Sequence, residues 1–417
     1  MKIRSLISSL AILAALLCSC TRGEMGYSFT DKSEETGKVL IFYASGSSNL
    51  ARYIRTNIDT IRSGSLPYRT SRKTVFIFAH LDSGETCLQK LFFDEYNNPT
   101  YDTLLTVAAG RSASDPGVIA EVLGKVLEVC PPENNSYTLI LSSHGTGWLP
   151  SGARNKSTES DFVSSFHTPR RVYGSEFVNG VVVDISIQDL ADAIPMKLDC
   201  LVFDACLMGG IEVAYQLRNK VVKLCCSPAE VPGNGYIYTE MADELLSDSS
   251  SPERFSKAYF EHYRTALEIL LKTGHHVEDS DYGATSTTVD CTKLEPLAEV
   301  CATLFEKYRA EIAAVDPDNV QHFYRVWSDV DYYRDFYDME DILVKAGMSE
   351  EDHRQLKQAL DGCITYKAAT QYFMKYYGGF DIATYCGLSM YLPSRGDASL
   401  NAFYKTLDWN IATKLVE

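Results

Sequence analysis

The chain has 417 residues, of which 45% are hydrophobic and 23% are charged, a composition typical of soluble globular proteins. This composition argues against a disordered chain, a collagen, a coiled coil and a protein with several membrane spans. The formal net charge of −16 argues against nucleic acid as a partner, because phosphate binding needs a basic surface, and it favours cationic partners.

The first twenty residues read as a targeting segment rather than as part of the fold. Lys2 and Arg4 precede a short apolar run that ends in Leu17-Cys18-Ser19-Cys20. This arrangement resembles a bacterial lipoprotein signal with lipid on the Cys20 thiol, and an ordinary secretory signal is the alternative. We therefore expect residues 1–19 to be the signal peptide and residues 20–37 a lipidated tether. The protein is expected to be exported and membrane-anchored, on the periplasmic face or the cell surface.

Six short apolar segments, rich in β-branched and aromatic residues, follow one another with room for helices between them. Such runs are typical of strands covered on both faces, and their alternation with helices is typical of a largely parallel sheet. His80 lies in the second segment, where we expect it to be packed or bonded to water. The predicted strands are residues 38–44, 74–81, 137–143, 199–205, 221–226 and 387–392.

Helical patterns fill the gaps between these segments, and Asp115 and Ser186 are well placed as N-caps. After about residue 250, longer helical patterns predominate. We therefore predict an α/β core over residues 38–246 and a mainly helical C-terminal region over residues 247–417, which returns one strand (386–393) to the sheet. The predicted helices are residues 49–61, 116–129, 186–194, 210–219, 253–272, 293–314 and 351–377.

Two polar segments follow neighbouring predicted strands, at the edge where a parallel sheet places its active site. His144 follows the third strand and Cys206 follows the fourth, so a base and a thiol nucleophile are expected to meet there. We also expect Cys206 to open a helix, whose N-terminal dipole would favour the thiolate. The backbone N–H groups of Gly145 and Cys206 are candidate donors to an oxyanion.

The segments His144-Gly145-Thr146-Gly147-Trp148 and Phe203-Asp204-Ala205-Cys206-Leu207-Met208-Gly209 resemble the catalytic motifs of the clostripain family of cysteine peptidases, peptidase family C11. This family belongs to the clan that includes caspases, gingipains and legumains. The opening KVLIFYASGSSNL, the loop at 227–236 and CGLSMYLP at 386–393 resemble further parts of the family, so the resemblance spans residues 38–409. It implies a caspase-like α/β fold, with a largely parallel central sheet flanked by helices.

The resemblance implies an endopeptidase with a Cys-His dyad, in which Cys206 is the nucleophile, His144 is the base and a thioester is the intermediate. Family members cleave after Arg or Lys, and the acid two residues before the nucleophile, here Asp204, is implicated in holding that cation. The alternative is that Asp204 caps the next helix or bonds the local backbone. Glu230, in the loop after the nucleophile, is a second candidate acid for substrate binding.

A polar loop over residues 151–179 separates the two motifs, and some family members mature by cutting their own loop between these motifs. Autocleavage here would follow Arg154, Lys156, Arg170 or Arg171, whereas the alternative is a solvated loop. We expect a monomer that acts on proteins or peptides with Arg or Lys and requires no cofactor. Some members depend on Ca²⁺, and a Ca²⁺ requirement stays open because the sequence contains no Ca²⁺ loop of recognisable spacing.

Two other functions stay open at this point. The first is a catalytically inactive caspase-like lipoprotein that binds peptides or glycans, against which the intact pair of His144 and Cys206 argues. The second is an acyl-transferring ligase with the same dyad, which nothing in the sequence separates from a hydrolase.

Overall fold

The computed structural model describes residues 36–46, 49–64, 66–82, 84–150, 173–178, 181–247, 249, 251–276, 282–325, 335–375, 378–396 and 398–417. Contacts group residues 38–417 into one unit, apart from residues 1–37. The two predicted regions, 38–246 and 247–417, both lie within this unit. The signal peptide, Cys20 and nearly all of the tether lie outside the described residues.

The strands differ greatly in length, and the long ones belong to one central sheet. In chain order they are β1 (Gly37–Ser45), β2 (Lys73–His80), β3 (Thr86–Phe93), β4 (Pro99–Val107), β5 (Asn135–Ser142), β6 (Tyr173–Val178), β7 (Val181–Ile185), β8 (Leu198–Asp204), β9 (Val221–Cys226), β10 (Thr285–Asp290), β11 (Tyr337–Asp338), β12 (Ile364–Ala369), β13 (Tyr372–Phe373), β14 (Phe380–Asp381) and β15 (Ser389–Met390).

Helices connect these strands and cover the sheet. They are α1 (Ala51–Ser63), α2 (Pro116–Val129), α3 (Ile187–Ala193), α4 (Ile211–Leu217), α5 (Tyr238–Leu246), α6 (Pro252–Thr273), α7 (Leu294–Lys307), α8 (Arg309–Ala313), α9 (Met339–Lys345), α10 (Glu350–Cys363), α11 (Ala398–Tyr404) and α12 (Asp408–Thr413). Short 3₁₀ turns lie at Pro132–Asn134, Cys291–Lys293, Pro317–Asn319 and Pro393–Arg395.

The central sheet has nine strands in the order β12-β10-β9-β8-β5-β1-β2-β3-β4. Within it β1 runs parallel to β2, and β5, β8 and β9 run parallel to one another. Antiparallel strands complete both edges, β3 and β4 on one side and β10 and β12 on the other. The mixed α/β fold with a mostly parallel central sheet, expected from the sequence, is confirmed.

Both faces of the sheet are buried, which explains why its inner strands are almost wholly apolar. Along β1, Val39, Ile41 and Tyr43 pack into one core, whereas Leu40 and Phe42 pack into the other. The first core also receives side chains of α2, α4, α7 and α10, and the second those of α1, α5 and α6. No helix in the described part of the chain is long and apolar enough to cross a membrane.

Two helix starts agree with the residues that the sequence places there. The Asp115 carboxylate accepts hydrogen bonds from the backbone N–H groups of Gly117 and Val118 at the start of α2. At the start of α3, the Ser186 hydroxyl accepts a hydrogen bond from the Asp189 N–H. Each cap pairs N–H groups that a helix cannot satisfy internally, so both predicted caps are confirmed.

The late segment 386–393 does not return a strand to the central sheet, and that prediction is wrong. Only Ser389–Met390 is a strand, and it pairs with Tyr337–Asp338 in a separate two-stranded sheet. Leu388, Met390 and Leu392 are nevertheless completely buried. A short apolar run indicates burial on all sides, and helices and loops satisfy that requirement here as well as a sheet would.

The C-terminal region instead supplies β10 and β12 to the central sheet. The helix predicted over 351–377 ends at Cys363, and the chain continues directly as β12. The change falls at Ile364, Thr365 and Tyr366, whose β-branched and aromatic side chains favour a strand.

Candidate active site

The carboxyl ends of β5 and β8 lie side by side in the middle of the sheet. Ser142, the last residue of β5, is in register with Asp204, the last residue of β8. The Ser143 N–H then donates to the Asp204 carbonyl, with 3.2 Å between nitrogen and oxygen. The loops that carry His144 and Cys206 therefore begin at the same edge, as the sequence predicts.

These two loops touch through a glycine. A Cβ atom on Gly145 would lie 2.5 Å from the Cys206 carbonyl oxygen, closer than side chains approach backbone atoms. Gly147 has a φ of +63°, and a Cβ there would lie 2.7 Å from the Leu207 carbonyl oxygen. The glycines of the histidine motif thus allow the loop to lie directly against the cysteine loop.

Replacing Gly145 with alanine should separate the two loops. We expect destabilisation by about 1–3 kcal/mol, the usual cost of overpacking, because backbone atoms rather than a flexible side chain must move. The matched control is Gly124→Ala in α2, where nothing lies within 4 Å of the new Cβ. That change should stabilise by about 0.5–1 kcal/mol. Denaturant unfolding of both variants checks this, and equal stability of the two would contradict it.

The ring of His144 is hydrogen-bonded to a residue that lies far from it in the sequence. Its Nε2 lies 2.8 Å from Oδ1 of Asn49, which follows β1. Because an amide oxygen only accepts, Nε2 carries the proton in this bond, and Nδ1 is then the basic nitrogen of the neutral ring. The His144 carbonyl accepts from the Gly174 N–H at 3.1 Å. No signal in the sequence pointed to a role for Asn49, although it lies in the first-strand segment that resembles the family.

The environment of Cys206 favours the neutral thiol. Its side chain is half-buried, and the Val231 N–H donates to Sγ over 3.4 Å. The pKa of Cys206 is raised to about 12, mainly by burial and next by the charge of Glu230. The Val231 N–H and the positive charge of Arg325 lower this pKa, but by less. A base must therefore take the proton before the sulfur can attack a carbonyl.

Cys206 does not open a helix, and that prediction is wrong. It lies in a turn, and α4 begins only at Ile211 with Gly210 as its N-cap. Leu207 in between has a φ of +62°, so the chain turns sharply after the cysteine. Because the helix dipole acts only near the first turn, it does not offset the burial of the thiol.

The two proposed oxyanion donors are not used elsewhere in the described part of the chain. There, neither the Gly145 N–H nor the Cys206 N–H donates to another residue. Their neighbours differ, since the Leu207 N–H donates to the Ala229 carbonyl and the Gly209 N–H to the Ser227 carbonyl. Loops fixed by such bonds can present N–H groups without reorganising during a reaction.

Asp204 lies beneath the site among neutral groups. Its carboxylate accepts from the Ser142 hydroxyl at 3.1 Å, from the Tyr238 hydroxyl at 2.9 Å and from the Tyr236 backbone. Gly235 covers it so closely that a Cβ there would lie 2.7 Å from both carboxylate oxygens. Burial raises the pKa of Asp204 to about 6 despite these bonds. These donors belong to segments distant in the chain, whereas the alternative role of Asp204 requires a cap on the next helix or a bond to the local backbone.

Glu230 lies beside the thiol and is paired with a cation of the chain itself. Its Oε2 is 2.7 Å from Nε of Arg325, and the two side chains are only 8% and 12% exposed. The sequence offered no signal for this pair, because Arg325 lies beyond α8 and is far from Glu230 in the chain. A guanidinium therefore lies within the electrostatic environment of Cys206.

A second buried pair lies at the same edge, after the long loop. His80 Nδ1 is 2.7 Å from Glu176 of β6, and Glu176 also accepts from Ser112 and from the Ala113 N–H. His80 is thus packed and bonded, although to a carboxylate rather than to water. The cleavage candidates Arg154, Lys156, Arg170 and Arg171 lie outside the described residues.

The side chains that could bind a metal ion are dispersed in the part of the chain that the structure describes. Over these ranges, no group of three or more His, Cys, Asp or Glu side chains is placed to hold a metal ion. Eight cysteines there are buried, as expected for core residues, and only Cys87 and Cys206 are half-buried. The groups that the site offers for chemistry are a thiol, an imidazole and backbone N–H groups.

Comparison with known proteins identifies the family to which the chain is similar. The sequence profile of the Clostripain family, Peptidase C11, matches residues 42–414. Clostripain from Hathewaya histolytica is 25% identical over 248 residues, which cover 52% of this chain and 43% of that relative. The chain thus spans less than half of the length of this curated relative.

Two solved structures share the fold over almost the whole chain. A secreted C11 cysteine protease from Bacteroides thetaiotaomicron, solved with an irreversible peptide inhibitor, has a TM-score of 0.74 and 20% identity, covering 90% of this chain and 98% of its own. An inactive zymogen C11 protease from Parabacteroides distasonis has a TM-score of 0.71 and 23% identity, covering 91% and 98%. With the fold, the two motifs and the profile in agreement, the chain belongs to the clostripain family of cysteine peptidases.

Proposed function

We propose that the protein is an exported cysteine endopeptidase that cleaves peptide bonds after Arg or Lys through Cys206 and His144. The observation that carries this proposal is the contact between the His144-Gly145 loop and the Cys206 backbone at the carboxyl ends of β5 and β8. Membership of the clostripain family supports the same reaction class. The relative from Bacteroides thetaiotaomicron was solved with a peptide inhibitor, which supports peptides as substrates.

In this mechanism His144 accepts the Sγ proton, and the Cys206 thiolate attacks the scissile carbonyl carbon. The backbone N–H groups of Gly145 and Cys206 donate to the resulting oxyanion. The C–N bond breaks, the amine leaves with the proton from His144, and a thioester joins the acyl group to sulfur. Water then attacks the thioester, its proton passes to His144, and the departing sulfur regains a proton. None of these steps needs a metal ion or another cofactor.

We propose that Asp204 and Glu230 recognise the cationic side chain of the substrate. Both carboxylates are almost fully buried near Cys206, and a buried carboxylate is stabilised by a cation that also hydrogen bonds to it. The pairing of Glu230 with Arg325 supports this role, since it places a guanidinium where a substrate side chain would compete. Both acids also help to explain how a protein with a net charge of −16 would select cationic peptides.

Processing and location form a further part of the proposal. We propose that the enzyme cuts its own loop after Arg154, Lys156, Arg170 or Arg171. The relative from Parabacteroides distasonis was solved as an inactive zymogen, which supports a precursor form. We also propose a monomer, exported and attached to a membrane through lipid on Cys20. The relative from Bacteroides thetaiotaomicron is a secreted protease, which supports export.

A panel of fluorogenic peptides with Arg, Lys, Asp or Leu at the cleaved position tests the proposal. We expect the purified protein to cleave the Arg and Lys peptides and to leave the Asp and Leu peptides intact. Preference for Asp would contradict the roles of Asp204 and Glu230. Absence of turnover, also after limited trypsin treatment and removal of the trypsin, would instead favour the inactive peptide- or glycan-binding lipoprotein.

A further inference from the structure

Glu230, whose charge acts on the Cys206 thiol, is already paired with an arginine of this chain. Glu230 directly precedes Val231, whose backbone N–H donates to Sγ of Cys206. Arg325 contacts the Glu230 carboxylate, with 2.7 Å between Nε and Oε2. Both charges are close enough to act on the thiol, since Glu230 raises the pKa of Cys206 and Arg325 lowers it.

Backbone pairing brings Arg325 to this position. The Phe323 N–H donates to the Phe336 carbonyl at 2.9 Å, and His322 forms an antiparallel bridge with Tyr337. The pairing fixes the chain two residues before Arg325, whose side chain is then 12% exposed. Arg325 is therefore held at Glu230 by the fold and is not a surface side chain that meets an acid by chance.

A buried carboxylate can exchange one cation for another more easily than it can lose its cation altogether. Leaving Glu230 buried without a counter-charge would be strongly unfavourable, because the charge would then be neither paired nor hydrated. A substrate guanidinium that replaces Arg325 avoids this cost, and the displaced Arg325 regains its hydration in water. A tethered group competes as though present at about millimolar concentration, so the internal arginine raises the apparent KM of any ligand for the same carboxylate.

We propose that Glu230 binds the cationic side chain of the substrate and that Arg325 is its intramolecular competitor, an autoinhibitory contact beside the nucleophile. This inference rests on the proposed cleavage after Arg or Lys, which it deepens by naming the residue that the substrate must displace. Asp204 contrasts with Glu230, because the donors recorded for its side chain are two hydroxyl groups and a backbone N–H.

Kinetics of Arg325→Gln on an Arg peptide test the proposal. We expect KM to fall by about tenfold or more, the effect of removing one close competing charge from the carboxylate, with kcat nearly unchanged. Arg325→Lys should lie between the wild type and Arg325→Gln. Glu230→Gln should raise KM. When Glu230→Gln is combined with Arg325→Gln, the arginine substitution should no longer lower KM. The matched control is Arg254→Gln, which breaks an exposed 2.7 Å pair with Glu244 in α5 and should leave KM unchanged.

Direct binding separates this inference from the peptidase activity itself. Agmatine, an alkylguanidinium without a scissile bond, is titrated calorimetrically into the Cys206→Ala protein with and without Arg325→Gln. We expect the Kd to fall by about tenfold or more in the protein that carries both Cys206→Ala and Arg325→Gln, because a close competing charge is gone. An unchanged Kd in a folded protein, or an Arg325→Gln enzyme with lower kcat and a more alkaline pH profile, would overturn the inference. The latter result would mean that Arg325 serves to stabilise the thiolate.

Discussion

Replacement of Cys206 with alanine is expected to abolish peptide hydrolysis, with kcat falling by about 10⁶-fold, as when the nucleophile of an acyl-transfer site is removed. The remaining groups cannot compensate, because the thioester requires sulfur at this position. His144→Ala should cost less, about 10²- to 10⁴-fold, which is the usual contribution of a general base. The initial rate of cleavage of an Arg peptide measures both losses.

The matched control for this change is Cys87→Ala on β3, the other half-buried cysteine of the described residues. It should keep full activity, and it should still react with an irreversible peptide inhibitor, whereas Cys206→Ala should not.

On a denaturing gel, the wild type is expected to be cut in the loop over residues 151–179, and Cys206→Ala to remain one chain. Equal intactness of the two proteins would contradict autocleavage, and activity retained in Cys206→Ala would contradict the assigned nucleophile.

Asp204→Asn is expected to lower activity while it raises stability at neutral pH. Removing one charge of a buried, hydrogen-bonded pair costs about 2–5 kcal/mol, so kcat/KM for Arg and Lys peptides should fall by about 10²- to 10³-fold. Stability should change in the opposite direction, because burial raises the pKa of this carboxyl from 3.8 to about 6 in the folded protein. Charging Asp204 therefore works against the fold.

The sign of the pH effect follows from proton binding. Between pH 4 and 6 the folded state keeps a proton on Asp204 that the unfolded chain has lost, so stability falls as pH rises through this range. At 1.36 kcal/mol for each pKa unit, the wild type should lose about 3 kcal/mol through this group, and Asp204→Asn should not. Denaturant unfolding at pH 4 and pH 8 measures the difference.

Asp338→Asn is the matched control for this variant. Asp338 is also buried, burial raises its pKa to about 6, and it caps α9 rather than lying beside Cys206. Its replacement should change the pH dependence of stability in the same way and leave kcat/KM unchanged. A similar loss of activity in both variants would mean that Asp204 acts only through folding, as its bonds to Ser142 and Tyr238 would allow.

Local sequence was sufficient for the parallel strands and for the two motifs. β1, β2, β5, β8 and β9 were each predicted to within two residues, because a strand buried on both faces is a continuous apolar run. The loops of His144 and Cys206 begin at the same edge, as predicted, because neighbouring parallel strands end there. The antiparallel β3 and β4 were missed, since an edge strand such as β4 alternates between exposed and half-buried residues and gives a weaker apolar signal.

Contacts between distant segments could not be predicted in the same way. Asn49 and His144 are 95 residues apart, and the loop after β1 reaches His144 only because β1 is the neighbour of β5 in the sheet. The late segment 386–393 has the apolar pattern of a strand, but it is buried by helices and loops. Burial can be predicted from such a pattern, whereas the partner that provides it depends on the whole topology.

By itself, the sequence determined that this chain has a mostly parallel α/β core and carries the thiol and imidazole motifs of the clostripain family. Only the tertiary structure decided the electrostatics around the thiol. In the folded chain Cys206 lies before the helix rather than at its start, Asp204 is buried among hydroxyl groups, and Glu230 is paired with Arg325. The physical reason is that a pKa or an ion pair depends on solvent exclusion and on charges within a few ångströms, and these are contributed by segments far apart in the chain.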